Sequence, residues 1–147
     1  MFRFRLEKVL RHRRRLVDDE ARRLQIISAS LNRLLAERRQ FENDIELAGR
    51  SAYEQSLQHV DIVRQRSSAS YIEGRRTMLR RLNQRVIEVQ GEADRQRAIL
   101  IEAQQNVSVL ENLEVRQREE WERDERRREQ KLSDEIGGRR RIARSTQ

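Results

Sequence analysis

The chain has 147 residues, of which 35% are hydrophobic, 4% aromatic and 39% charged, with five glycines, no proline and no cysteine. That composition excludes a thick packed core, most β-rich architectures, disulfides, thiol nucleophiles and thiolate metal sites. Thirty-three basic against 25 acidic residues leave a net charge of +8, a modest imbalance for so charged a chain; two isolated histidines, His12 and His59, offer little for acid–base chemistry. No enzyme and no cofactor is expected.

The N-terminus from Met1 to Leu10 alternates Phe, Arg and Leu, which is not an apolar signal segment, and nowhere does an apolar run approach the roughly 20 residues needed to cross a bilayer. A cytoplasmic protein touching membranes only at their surface is expected. A first helix is expected over about residues 2–49. Stepping by three and four from Leu10 lands on Leu10, Arg13, Val17, Glu20, Leu24, Ile27, Leu31, Leu34, Arg38, Phe41, Ile45 and Ala48, nine of twelve apolar. A repeat of 3.5 residues held this long calls for a partner helix along a narrow seam. Gly49 suits a helix end, and Ser51 with Glu54 and Ser70 with Glu73 match the capping box at a helix start. The chain is therefore expected to break within 50–69, with a short third helix from Ala52 to Arg64 carrying Tyr53, Leu57, Val60 and Val63 on one side.

A second long helix is expected over about 70–136. Its seam reads Ile72, Arg75, Leu79, Leu82, Val86, Val89, Ala93, Gln96, Leu100, Ala103, Val107 and Leu110, ten of twelve apolar. If the chain folds back on itself, residues whose numbers sum to 120 face each other, setting Leu10 against Leu110, Leu31 against Val89 and Leu34 against Val86. The fold class that follows is all-α, a long antiparallel two-helix coiled-coil hairpin with an extended C-terminal helix, monomeric when isolated. A seven-residue slip and a parallel dimer satisfy the same pattern. From Trp121 onward the second helix has no internal partner; acids four residues before bases, Glu119 with Arg123, Glu122 with Arg126 and Asp124 with Arg128, support it. Gly137 and Gly138 are expected to end it, leaving residues 137–147 as a basic tail.

Charge is unevenly placed. Residues 1–15 hold seven bases, Arg3, Arg5, Lys8, Arg11, Arg13, Arg14 and Arg15, against Glu7 alone. Residues 40–63 are acidic and 64–85 carry seven arginines with only Glu73, so part of the imbalance is expected to cancel across the hairpin. The basic excess at the terminal end calls for an acidic partner. Nucleic acid is a poor match, because aromatic residues are few among the bases and acids are interspersed through 119–135. Anionic membrane binding needs an apolar face beside the bases, and only Phe2, Phe4 and Leu6 offer one there. A protein socket and a solvated arginine-rich face remain.

Phe4-Arg5-Leu6-Glu7-Lys8-Val9-Leu10, Val17-Asp18-Asp19-Glu20-Ala21 and the closing Glu129-Gln130-Lys131-Leu132-Ser133-Asp134-Glu135 together resemble the FliJ family of the bacterial flagellar type III export apparatus. The resemblance implies a cytoplasmic stalk, peripherally associated with the inner-membrane export apparatus. Its terminal end would insert into the hexameric export ATPase FliI, and a patch nearer the hairpin would contact the export gate FlhA. Export chaperones are possible further partners. On that resemblance the ring contact falls on Arg3, Arg5, Lys8, Arg11, Arg13, Arg14, Arg15, Trp121, Arg126, Arg127 and Arg128. The gate contact falls on Glu37, Phe41, Asp44 and Ala48 of the first helix and Tyr71, Arg75, Met78 and Leu82 of the second. Asp44 and Ala48 stand where the family usually has aromatic side chains, and Phe41 and Leu82 are also seam positions that core packing explains. Trp121 reads either as an aromatic anchor against the ring or as a cover for Met1 to Phe4. A general coiled-coil scaffold that dimerises through the same seams is the alternative.

Overall fold

The computed structural model describes the backbone of residues 1–58 and 61–145 and the side chains of 1–58 and 61–139. It contains two helices, α1 (Glu7–Leu57) and α2 (Ile62–Ser145), which pair as an all-α helical hairpin with no strand among the described residues. The chain divides into two compact units, one of Met1–Val17 with Glu102–Gln147, the other of Asp18–Ile101.

In the terminal unit the core is Phe4, Leu10 and Val107, with Phe2, Leu6, Val17, Leu110 and Leu113 packed on it. Leu10 has no exposed surface. α1 starts at Glu7 rather than near residue 2. The reason lies in the spacing of Phe2, Phe4 and Leu6: a helix turns 200° in two residues, so helical backbone would set Phe4 on the side opposite Phe2 and Leu6. Outside a helix they all reach one cluster, and the helix begins where the Glu7 amide donates to the Phe4 carbonyl at 3.2 Å and the Leu10 amide to the Leu6 carbonyl at 2.9 Å.

In the Asp18–Ile101 unit the core is Leu31, Val86 and Val89, with Ile27, Leu34 and Leu35 against it. Leu82 and Ala93 are buried too. The two clusters bring together the seam residues that the fold-back pattern sets opposite one another: Leu31 with Val89, Leu34 with Val86, and in the other unit Leu10 with Leu110. One seam position is buried and polar. Gln96 is 8% exposed, and its amide donates to the Glu20 backbone carbonyl at 3.2 Å and to the Glu20 carboxylate. A polar pair inside an apolar seam specifies register at some cost in stability.

The connection is tighter than the sequence spacing predicts. α1 runs through Gly49 to Leu57 and α2 starts at Ile62, so the break falls within 50–69 as expected but takes only residues 58–61, and there is no separate third helix among the described residues; Val60 and His59 lie outside them. Gly49 has open space around it and no left-handed φ, so it costs the helix roughly 1 kcal/mol without ending it. Neither capping box is used. Ser51 accepts instead from the Gln55 side chain at 3.5 Å, and Glu73 pairs with Arg80 at 3.2 Å. The working cap is Asp61, whose carboxylate accepts the Val63 amide at 3.2 Å while its carbonyl accepts from Gln65 at 3.2 Å. At the other end α2 continues through Gly137 and Gly138 to Ser145, so most of the expected basic tail is helical. Neither glycine adopts a left-handed φ, and without a proline behind them nothing forces a stop.

Candidate functional site

Two groups of side chains stand out, one in each unit. In the terminal unit Arg3, Arg5, Lys8, Arg11, Arg13, Arg14 and Arg15 are all exposed. Arg11 pairs with Glu7 at 3.7 Å. Arg14 reaches across to α2, donating to Glu111 from Nη2 at 2.9 Å and from Nε at 3.3 Å. That hydrogen bond, aided by the charges of Glu111, Glu7 and Glu114, holds the Arg14 guanidinium above its ordinary pKa against an opposing desolvation. The remaining five, Arg3, Arg5, Lys8, Arg13 and Arg15, make no ion pair among the described residues. They are the free positive charge of this end.

Trp121 is half-buried beside that arm, with its ring centroid 6.2 Å from that of Phe2 at an interplanar angle of 49°. The ring thus lies against Phe2, while Met1 stays fully exposed. Arg118, absent from the sequence-derived candidates, lies with its guanidinium 5.6 Å over the Phe2 ring. The fold-back numbering carried this signal, since 2 and 118 also sum to 120. Arg126, Arg127 and Arg128 are exposed. Arg127 lies 3.8 Å from Asp124 and Arg128 3.2 Å from Glu125, so these pairs span three residues rather than the expected four. Arg123 turns to the Glu119 carbonyl at 3.2 Å. Met1, Trp121, Glu122, Glu125, Arg126 and Glu129 line a shallow hollow of about 450 Å³. That hollow is lined by three acids and one base, and the unpaired positive charge of the first fifteen residues is on the N-terminal arm and the first turns of α1.

In the Asp18–Ile101 unit the structure gathers Phe41, Asp44, Tyr71 and Arg75. The Arg75 guanidinium lies 5.1 Å from the Phe41 ring centroid and 5.2 Å from that of Tyr71. Its Nε donates to the Tyr71 hydroxyl at 3.2 Å, and Nη1 is 3.9 Å from Asp44. These contacts explain how an arginine occupies an otherwise apolar seam. A second seam arginine, Arg38, has a buried Nε without a hydrogen-bond partner, 3.8 Å from Glu42. Met78 is 50% exposed, Glu37 exposed and Ala48 half-buried, while Leu82 is buried in the seam. Asp44 to Arg75 is the one ion pair between α1 and α2 in this unit among the described residues. The expected cancellation of charge across the hairpin is thus mostly absent, because arginines here pair with acids three or four residues away on their own helix, as Arg97 does with Asp94 and Arg50 with Glu46.

Among the described residues no group of three His, Asp or Glu side chains is placed to hold a metal ion, and no helix is long and apolar enough to cross a membrane. The family described as "Flagellar FliJ protein" matches the chain over residues 1–146. The chain belongs to the FliJ family. It is a component of the flagellar protein export apparatus, and its partners lie in that apparatus. No curated protein and no solved structure matches it.

Proposed function

We propose that this FliJ-family protein is a cytoplasmic stalk that inserts its terminal unit into the export ATPase ring FliI, promotes assembly and activity of that ring, and links it to the export gate FlhA. The observation that carries the reading is the set of five exposed bases, Arg3, Arg5, Lys8, Arg13 and Arg15, left without ion pairs on an arm pinned by Phe4 and Leu10. Held charge of one sign steers an acidic socket toward it and fixes orientation on contact. The arm is preorganised because Phe2, Phe4 and Leu6 are already ordered in the core, so little further ordering is needed on binding.

The gate contact rests on the Phe41–Asp44–Tyr71–Arg75 group. An arginine braced between two aromatic rings presents a fixed charge beside exposed apolar surface, including Met78, a composition typical of interface centres. Escort of export chaperones belongs to the same reading. With no nucleotide chemistry of its own, the protein acts mechanically or allosterically on the ring.

The test is the hydrolysis rate and hexamer content of the cognate export ATPase with and without this protein. A saturable rise in both is expected. Arg13→Glu, Arg14→Glu and Arg15→Glu together should weaken ring binding while circular dichroism stays unchanged. An ATPase indifferent to the protein, with the protein itself a stable dimer, would transfer the assignment to a coiled-coil scaffold.

A further inference from the structure

Four large apolar side chains flank the connection between α1 and α2 and stand in the open: Tyr53 is 67% exposed, Leu57 66%, Ile62 67% and Val63 70%. One such residue on a surface is ordinary; four within eleven residues of chain, at the end of one helix and the start of the next, leave apolar surface that water solvates poorly. The tight connection creates it. Because α1 and α2 stop and start only a few residues apart, no third helix folds down over these positions.

Behind this end the α1 side is acidic and the α2 side basic, and residues 40–85 together hold eight arginines against six acids. Residues 62–85 hold seven arginines and one glutamate. Arg64 and Arg66 are exposed and in no ion pair among the described residues, and the same is true of Arg76 and Arg81 farther along α2. Of the two acids nearby, Asp61 has one carboxylate oxygen occupied in capping the Val63 amide, and Glu54 is exposed. An apolar end with arginines set back from it has the arrangement that lipid surfaces select: hydrocarbon side chains enter at the acyl boundary while guanidinium groups remain among the phosphates. The sequence directs attention instead to Phe2, Phe4 and Leu6. Those three are in the core of the terminal unit, with Phe4 buried, and offer no membrane face.

We propose that the α1–α2 end, through Tyr53, Leu57, Ile62 and Val63 with Arg64 and Arg66, docks on the surface of an anionic phospholipid bilayer. Charge complementarity favours lipid phosphate over neutral headgroups. The projecting position of the apolar residues, at helix ends rather than in a groove, favours a deformable surface over a shaped socket. Attachment is reversible and peripheral, since the apolar contribution is four side chains rather than a buried helix. The proposal requires neither the ATPase nor the gate.

The experiment is co-sedimentation of the full chain with vesicles of phosphatidylglycerol and phosphatidylethanolamine, and with phosphatidylcholine vesicles as the uncharged comparison. Binding to the anionic vesicles that weakens with salt is expected, with little binding to phosphatidylcholine. Ile62→Ser with Val63→Ser should lower partitioning about tenfold, and Arg64→Gln with Arg66→Gln should lower it by a similar factor and flatten the salt dependence. Leu57→Ser provides a variant away from the start of α2, and circular dichroism of each verifies that helicity is intact. Absence of binding to anionic vesicles at low salt overturns the proposal. So does binding that survives both double variants but falls with Arg3→Gln, Arg5→Gln and Lys8→Gln, which would place the contact on the N-terminal arm. Loss of affinity for the cytoplasmic part of the export gate with unchanged vesicle binding would show the end to be a protein contact instead.

Discussion

Replacing Leu10 by Ala tests how the terminal unit is held. Leu10 is, among the described residues, the one side chain of its size with no exposed surface, and it is enclosed by Phe4 and Val107 with Phe2, Leu6, Val17, Leu110 and Leu113 around them. The substitution removes three carbons. At about 0.8 kcal/mol for each buried carbon the transfer loss is about 2.4 kcal/mol, and the residual cavity raises it toward about 3 to 4 kcal/mol. For a chain of this size each kcal/mol moves the midpoint by about 2 to 4 °C, so a drop of about 10 °C is expected. The assay is built into the protein: Trp121 is the only tryptophan and sits against Phe2 in the same unit, so its fluorescence follows the melting of that unit. Val109→Ala, at a residue of the same unit that is 65% exposed, should cost no more than about 0.5 kcal/mol. Equal shifts for Leu10→Ala and Val109→Ala would refute the packing argument, because burial would then not govern the stability of this end.

Three further outcomes follow from the other unit. Leu31→Asp with Leu34→Asp introduces two carboxylates into the cluster of Val86 and Val89, where neither finds a partner; at several kcal/mol each this exceeds what a two-helix fold can lose, and helicity by circular dichroism should collapse at ambient temperature. Gln96→Leu alone deprives the Glu20 carboxylate, whose side chain is only 14% exposed, of its amide donor and should lower the midpoint by the equivalent of about 1 to 3 kcal/mol. Gln96→Leu combined with Glu20→Leu should restore or exceed the starting stability, and a double variant less stable than the single would show that the pair is not a costly register determinant. Asp61→Ala removes the cap of α2 and should cost about 1 kcal/mol, seen as faster hydrogen exchange at the Val63 amide, whereas Asp61→Asn should leave exchange nearly unchanged.

The sequence by itself determined what repeats. Two apolar seams at a spacing of 3.5 residues, without a proline to interrupt them, dictated two long helices; the fold-back arithmetic put Leu31 with Val89 and Leu10 with Leu110, and the tertiary structure chose that pairing over a slipped register or a parallel dimer. Periodicity is robust because every turn of helix repeats the same evidence. The ends were decided by the tertiary structure. Gly49, Gly137 and Gly138 read as stops, yet a glycine only weakens a helix, and whether the helix continues depends on its neighbours. The two capping boxes were real patterns in the wrong place, and Asp61 took the cap because the chain reverses beside it. The charge pattern was equally ambiguous. Sequence counts showed where arginines are dense, but only the packed helices decided that Arg14 and Arg75 reach across to α2 and α1 respectively, while Arg64 and Arg66 stay free. A long guanidinium side chain has many acids within reach, and the choice among them is made by the rotation of each helix about its own axis, which local sequence does not encode. Phe4 is buried because the chain ahead of α1 is not helical, while Ile62 and Val63 stand in the open at the start of α2. Hydrophobicity alone could not distinguish these residues; which of them meets a partner depends on where the chain turns.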